Sequence, residues 1–392
     1  MRYILLLSFV LFCDYCIGQE SVFTGTSILY DRKLNNFKTN IELEFSKANA
    51  QYTEEGLLVS KPNSLVKLNR YYALAQRHIR YHVKLSADAI VVFQSDKGDF
   101  RAIVDMPNQK ISIATDPVLE NKVANMSPEH EYLVEIYRDY QRSAIKLINL
   151  FTGEETEVTG INDGTGGVGK GTENKGFQVG RQYDYYTFGL LQGESLLVKQ
   201  ITIQANQVNP ILLIYGDSIT EPEGYYPSKS FDQAWTQLII KHLQGKAISS
   251  GRGGTTINEL LERIKNELPY IKPKYAMITI GTNGGNTIDN LSQLVEYIKS
   301  QGTIPILNNI PANESSSHIL VNEIIEKVRQ KYNIKGCKFD IATSINQLGK
   351  EVDQSTMYFE DYEWGKIYHH PNVKGSKLMY IRALIDVPEI YQ

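Results

Sequence analysis

The stretch Ile211-Leu212-Leu213-Ile214-Tyr215-Gly216-Asp217-Ser218-Ile219 decides the fold of the C-terminal half of this chain. Its five leading apolar residues predict a buried strand, and the Gly-Asp pair that follows predicts a sharp turn. Ligands of α/β proteins bind beyond the carboxyl ends of the strands, which is where Ser218 stands. A serine hydroxyl becomes a nucleophile only beside a base, so we expect a histidine from elsewhere in the chain.

The sequence that follows this stretch alternates short apolar runs with helical stripes. Further buried strands are predicted at residues 247–249, 275–280 and 304–307. Apolar residues repeat at spacings of three and four in residues 257–268, 291–298 and 320–332, which predicts amphipathic helices between the strands. Trp235 belongs to a similar stripe, so it is predicted to pack in the core. The pattern is typical of a parallel sheet covered by helices on both faces, an α/β three-layer sandwich.

Residues 20–204 show a different rhythm, with period two and frequent Gly, Asp, Asn and Pro turns. In residues 78–85, Ile79, Tyr81 and Val83 would face one way, while His78 and His82 would face a solvated side. Residues four apart on a strand lie about 13 Å apart, so these histidines cannot share a metal ion. We therefore predict two domains, an all-β sandwich accessory domain over 19–205 and the α/β domain over 206–392. The strand rhythm of the first is similar to a concanavalin-like or laminin-G-like jelly roll.

The N-terminal residues indicate where the protein is located, and the composition limits the classes of partner. Arg2, the apolar residues 4–12 and Gly18 predict a signal peptide over 1–18, and hence a secreted, periplasmic or cell-surface protein of bacterial origin. Its removal would leave Cys337 alone, so no internal disulfide is expected. A net charge of -3 without a basic stripe argues against a nucleic acid partner. No later run approaches the roughly 20 apolar residues of a transmembrane segment.

Four short segments at predicted strand ends and near the C-terminus resemble, in order, the four blocks of the SGNH or GDSL hydrolase family. They are Gly216-Asp217-Ser218-Ile219, Ser250-Gly251-Arg252-Gly253-Gly254-Thr255, Gly281-Thr282-Asn283 and His370-Pro371-Asn372. The resemblance covers about residues 210–392 and implies a flavodoxin-like SGNH hydrolase fold.

The same resemblance implies a role for each block. Ser218 would be the nucleophile and His370 its base. The oxyanion hole would combine the backbone N–H groups of Ser218 and Gly253, with Gly251 as the alternative glycine, and the side-chain amide of Asn283. Donors of this kind face the negative charge that develops on the former carbonyl oxygen.

One position departs from the family pattern, because Ile367 stands where an aspartate three residues before the histidine usually orients the imidazole. A carboxylate of Glu360, Asp361 or Glu363 would replace it as the acid of an atypical triad. A main-chain carbonyl within 364–368 would instead give a Ser-His dyad, which some carbohydrate esterases related to this family use and which we favour. A third outcome is a domain that has lost its activity.

These observations together predict a secreted serine esterase that hydrolyses O-acyl esters, acetyl esters above all, on a polysaccharide. Tyr225 and Tyr226 follow the nucleophile and, with His369, are candidate substrate-binding residues. The resemblance implies neither a metal ion nor an organic cofactor. The alternative, favoured by Ile367, is a glycan-binding surface protein whose hydrolase domain is inactive.

Overall fold

We describe the protein from a computed structural model. It covers residues 22–35, 42–46, 49–74, 77–95, 101–113, 118–138, 142–161, 186–221, 228–357 and 369–392. The predicted signal peptide and the residues 222–227 and 358–368 lie outside these ranges.

The N-terminal half of the described chain is built from antiparallel strands. They are β1 (Ser27–Lys33), β2 (Leu43–Glu44), β3 (Ala50–Tyr52), β4 (Leu57–Val59), β5 (Ser64–Leu68), β6 (Arg77–Leu85), β7 (Ile90–Ser95), β8 (Arg101–Asp105), β9 (Lys110–Ile113), β10 (Leu119–Lys122), β11 (Glu131–Arg138), β12 (Arg142–Asn149), β13 (Glu155–Ile161), β14 (Tyr186–Gln192) and β15 (Leu196–Ala205). One sheet has the order β13-β12-β11-β6-β15-β4-β3, with β1 also paired to β15, and the second has the order β10-β9-β8-β7-β14-β5-β2.

The two antiparallel sheets pack face to face through alternate residues of their strands. Tyr81 of β6 lies with its ring centroid 4.6 Å from that of Phe93 in β7 and 5.4 Å from that of Phe188 in β14. The prediction of a β-rich N-terminal half is therefore confirmed. The prediction that His78 lies on a solvated face is wrong, because His78 is only 1% exposed. The segment around Phe23 covers it, with the two rings 5.9 Å apart and edge to face.

The C-terminal half carries the predicted alternation of strands and helices. Its strands are β16 (Leu212–Gly216), β17 (Ala247–Gly251), β18 (Tyr275–Thr279) and β19 (Ile304–Leu307), and its α-helices are α1 (Trp235–His242), α2 (Ile257–Ile271), α3 (Ile288–Ser300), α4 (His318–Tyr332), α5 (Phe339–Ala342) and α6 (Val373–Asp386). The strands are all parallel and have the order β17-β16-β18-β19. This is the order of flavodoxin-like sheets, in which ligands bind where the strand order reverses, between the first and third strands.

Alternate residues of β16 point into two different cores. Leu213 belongs to the apolar cluster that holds the buried faces of α2, α3 and α4. Leu212 and Ile214 belong to the cluster with Trp235 of α1 and Met379 of α6. The sheet is thus covered on both faces, as predicted, and Trp235 is a core residue with 1% exposure.

The pairing changes from antiparallel to parallel between β15 and β16, close to the predicted boundary near residue 206. The two halves contact each other through α2 and β1, where the Ser27 hydroxyl donates to the carbonyl of Tyr270 over 2.7 Å. The domain limits themselves stay predictions. In the described ranges, no helix combines the length and apolarity that crossing a membrane requires.

Candidate active site

Ser218 lies in a tight turn directly after β16. The backbone N–H groups of Thr220 and Glu221 both donate to the carbonyl of Asp217, over 3.0 and 3.1 Å. A Cβ atom on Gly216 would lie 2.0 Å from the Thr220 hydroxyl oxygen, so only glycine allows the strand to end this way. Ser218 is 7% exposed, which places the predicted nucleophile just below the surface.

Asp217 holds this turn together and connects it to the segment after β18. Its Oδ1 accepts a hydrogen bond from the Ile219 N–H over 3.0 Å. The side chain is fully buried, and burial raises the pKa of Asp217 to about 7, while the hydrogen bond from Ile219 acts in the opposite direction. Thr282 also acts to lower this pKa, so the carboxyl group lies beside the third family-like block.

Strand register brings the first three blocks to one edge of the sheet. Gly216 at the end of β16 pairs with Gly251 on one side and with Thr279 on the other. Ser218, Gly253 and Asn283 follow these three positions and therefore meet at the switch point of the sheet. Gly251, the alternative oxyanion glycine, packs against the first block, since a Cβ there would lie 2.6 Å from the Glu221 nitrogen.

The backbone N–H of Gly253, predicted to bind an oxyanion, donates to the carboxylate of Glu221. Glu221 is fully buried and follows Ser218 by three residues. Our sequence reasoning did not single out Glu221. The only available signal was its place directly after the Gly-Asp-Ser-Ile-Thr run, since nothing in the local pattern relates it to a glycine 32 residues later.

The side-chain amide of Asn283 also has a protein acceptor. Its Nδ2 donates to the carbonyl of Thr255 over 3.2 Å, which connects the second and third blocks. Within the segment between β18 and α3, Asn286 Nδ2 donates to the carbonyl of Gly281 over 2.7 Å. Gly281 has a φ of +139°, a backbone conformation that favours glycine. An amide has two N–H groups, so Asn283 keeps a second donor.

His370 is buried, with 3% exposure, in the segment that leads into α6. The pKa of His370 lies well below its usual value because burial disfavours the charged ring and because His369 adds positive charge beside it. The two ring centroids lie 4.3 Å apart. His369 Nδ1 is 3.3 Å from a carboxylate oxygen of Glu314. The low pKa keeps the His370 imidazole neutral at neutral pH, as a general base requires.

Two sets of contacts bring the His370 segment to the same edge. Pro371 forms a β-bridge with Met357, and Met357 packs on Ala312, which follows the end of β19. On the other side, Ile219 shares an apolar cluster with Met379 of α6. The residue after Ser218 and the helix after His370 therefore pack in one core.

A cavity of about 770 Å³ adjoins the second block. Gly253, whose amide faces Glu221, lies in its wall beside Arg252, and the other side includes Asn69 and Tyr71 from the segment after β5. Among the described residues, no three His, Cys, Asp or Glu side chains are grouped so as to hold a metal ion.

Several predicted site residues lie outside the described ranges. They are the candidate acids Glu360, Asp361 and Glu363, then Ile367, which stands where the family pattern has an aspartate, and the aromatic pair Tyr225 and Tyr226. The choice between a triad and a dyad, and the role of these tyrosines, stay predictions from the sequence.

Residues 214–378 match the model of the GDSL-like Lipase/Acylhydrolase family. The platelet-activating factor acetylhydrolase IB subunits alpha2 of Rattus norvegicus and Homo sapiens are each 29% identical over 136 residues, covering 32% of this chain and 56% of theirs. The chain thus spans about half the length of these curated relatives.

Solved structures similar to this chain include three from bacteria. A putative acylhydrolase from Bacteroides fragilis is 17% identical, covering 46% of this chain and 88% of that one, with a TM-score of 0.37. A catalytic mutant of an acetylxylan esterase from Geobacillus stearothermophilus is 17% identical, with coverages of 46% and 94% and a TM-score of 0.35. A putative lipolytic protein of the G-D-S-L family from Desulfitobacterium hafniense is 19% identical, with coverages of 44% and 97% and a TM-score of 0.37.

Proposed function

We propose that the C-terminal half of this chain, whose residues 214–378 match the model of the GDSL-like Lipase/Acylhydrolase family, is a carboxylic ester hydrolase that acts through Ser218 and His370. The observation that carries this proposal is the meeting of four sequence-distant segments at one edge of the parallel sheet. Gly216, Gly251 and Thr279 are in register there, and the His370 segment is fastened to the loop after β19.

The proposed reaction has two halves. The His370 imidazole removes the proton of Ser218 Oγ while that oxygen bonds to the ester carbonyl carbon, and the former carbonyl oxygen becomes negative. The ester C–O bond then breaks, and the alcohol leaves with the proton that the imidazole carries. Water, deprotonated by the same imidazole, hydrolyses the acyl-serine and restores the serine hydroxyl. The lowered pKa of His370 keeps the ring unprotonated, which this role requires, and it also makes the ring a weaker base.

The proposed oxyanion donors are the backbone N–H groups of Ser218 and Gly253 and the amide of Asn283. The order of these residues along adjacent strand ends supports the assignment, although Gly253 and Asn283 donate to Glu221 and Thr255 in the structure. The group that orients His370 is proposed to be a main-chain carbonyl within 364–368, with Glu360, Asp361 or Glu363 as the alternative. Asp361→Ala tests one of these acids, since retained turnover would exclude Asp361.

We infer an O-acyl, chiefly acetyl, ester of a carbohydrate as the substrate, met outside the cell by a protein with a cleaved signal peptide over 1–18. The polar cavity beside Gly253 supports a hydroxylated leaving group. Under this proposal, the N-terminal sheets would form a jelly-roll-like accessory domain that assists binding.

The proposal is tested with a fluorophosphonate probe, which forms a covalent bond with an activated serine. Wild-type protein should be labelled and should hydrolyse small acetate esters, whereas Ser218→Ala and His370→Ala should do neither. Thr236→Ala, a buried hydroxyl in α1, is the matched control and should keep both activities. Absence of labelling and hydrolysis in folded wild-type protein would refute the esterase and favour a glycan-binding protein with an inactive hydrolase domain.

A further inference from the structure

The cavity beside the second block has walls from both halves of the chain. Residues 252–255 and α2 form one side, while Asn69 and Tyr71, from the irregular segment that follows β5, form another. Its volume of about 770 Å³ falls within the range of about 300–1,000 Å³ that is typical of ligand sites. The sheets of the N-terminal half therefore contribute directly to a space that begins at Gly253.

The N-terminal wall is held firmly against α2. The fully buried carboxylate of Glu267 accepts from the Ala73 backbone N–H over 2.9 Å and from the Ser250 hydroxyl over 2.8 Å. Arg70 donates to the side-chain oxygen of Asn266 over 3.2 Å. One acidic group thus joins the segment after β5 to the strand that leads into the second block, which makes this wall a fixed part of the cavity.

Tyr71 and Arg252 form the contact between the two walls. Burial raises the pKa of Tyr71 above its usual value, while the charges of Arg263 and Arg252 and a hydrogen bond from Arg252 act in the opposite direction. The ring itself is half-buried and lines the cavity. Arg252 directly precedes Gly253. Tyr71 of the N-terminal half therefore contacts the residue next to the predicted oxyanion amide.

The described part of the lining is polar and carries both charges. It offers the amides of Asn69, Asn258 and Asn266 together with glutamate and basic side chains, and it contains no aliphatic side chain larger than that of threonine. A fatty acyl chain would find no leucine, isoleucine, valine or methionine side chain among these residues. A sugar ring would find an aromatic face for its C–H groups and both donors and acceptors for its hydroxyls.

We propose that Tyr71, Asn69 and Arg252 form a subsite, shared by both halves of the chain, that binds the saccharide part of the ester. This proposal rests on the proposed function, since it assigns the leaving group of the same reaction. In this subsite the Tyr71 ring stacks on the sugar, and Asn69 and Arg252 bind its hydroxyl groups. The N-terminal half then determines specificity for the alcohol, while the C-terminal half carries the chemistry.

The test compares two sugar acetates with one apolar acetate of similar ring size on the full-length protein. Monoacetates of methyl xylopyranoside and methyl glucopyranoside are sugar substrates, and cyclohexyl acetate is the apolar match. The measured quantity is the ratio of kcat/KM for the better sugar ester to that for cyclohexyl acetate. Tyr71→Ala should lower this ratio about tenfold, mainly through KM for the sugar ester, as expected for loss of an aromatic contact and a hydrogen bond.

Three further variants separate recognition from folding. Tyr71→Phe keeps the ring and should lower the ratio only about threefold, the effect of one hydrogen bond. Asn69→Ala should give a similar fall, and it leaves the ring in place if Tyr71→Ala unfolds. Tyr270→Ala, at an exposed tyrosine of α2 outside the cavity lining, should leave the ratio unchanged.

A wild-type ratio of one or below for both sugars, or a ratio that Tyr71→Ala and Asn69→Ala retain, would overturn the subsite. Absence of hydrolysis of every ester, together with absence of fluorophosphonate labelling, would instead overturn the proposed function. The two failures are therefore distinguishable.

Discussion

Asn283→Ala should nearly abolish turnover while costing little stability. One N–H of the side-chain amide is donated to the Thr255 carbonyl over 3.2 Å, which leaves the second for the oxyanion. Loss of an oxyanion donor raises the barrier by about 3 kcal/mol and lowers kcat about 10²- to 10³-fold. Loss of the bond to Thr255 should cost about 1 kcal/mol of unfolding free energy. Steady-state kinetics on a small acetate ester and urea unfolding measure the two effects, and KM should change little.

Asn290→Ala is the matched control for this variant. The Nδ2 of Asn290 donates to the carbonyl of Gly285 over 2.9 Å. Its removal therefore deletes the same kind of hydrogen bond, from a side-chain amide to a main-chain carbonyl, between the end of β18 and the start of α3. We expect a similar loss of stability and less than about a threefold change in kcat. Equal falls in kcat for the two variants, or a fall below tenfold for Asn283→Ala, would refute the oxyanion role.

Three other predictions follow from the buried ionisable groups of the site. Glu221→Gln removes the charge that the Gly253 N–H faces, and relief of a repulsion of about 3 kcal/mol should raise kcat by up to about 10²-fold, whereas a fall in kcat would make Glu221 a positioning residue. Asp217 keeps its proton up to about pH 7 in the folded protein. The free energy of unfolding should therefore fall by about 4 kcal/mol as the pH rises from about 4 to about 7. Urea unfolding of Asp217→Asn should show that this slope is lost. The acid limb of kcat/KM should lie below pH 6.5 because the pKa of His370 is lowered, and His369→Asn should move it upward.

The parallel sheet could be predicted from the sequence because its signals are local. Apolar runs and stripes lie within each element, so β19 was predicted at its observed residues and β16, β17 and β18 within one or two. Ser218 and Asn283 were predicted at adjacent strand ends for the same reason, since a parallel sheet collects the carboxyl ends of its strands at one edge.

Features that depend on distant single residues could not be predicted in this way. The pairing of β1 with β15 joins segments more than 160 residues apart, and no periodicity encodes it. His78 alternates like a surface residue, but the segment around Phe23 covers it. Two further contacts each depend on a single buried carboxylate: Glu221 accepts from Gly253, and Glu267 accepts from Ala73. A single residue produces no periodic signal in the sequence, so neither contact could be predicted.

Two of the three predicted oxyanion donors, Gly253 and Asn283, differ in what an ester must displace. Gly253 has a single N–H, and it faces a buried carboxylate, so an oxyanion that takes this donor must compete with the charge of Glu221. Two like charges about 5 Å apart repel by about 3 kcal/mol at an effective dielectric of 20, which is as large as the gain from one oxyanion donor. Asn283 meets no such competition, because a neutral carbonyl occupies only one of its two N–H groups. Asn283 should therefore carry most of the oxyanion stabilisation while Glu221 is ionised, and the contribution of Gly253 should emerge only when that charge is removed or moves aside.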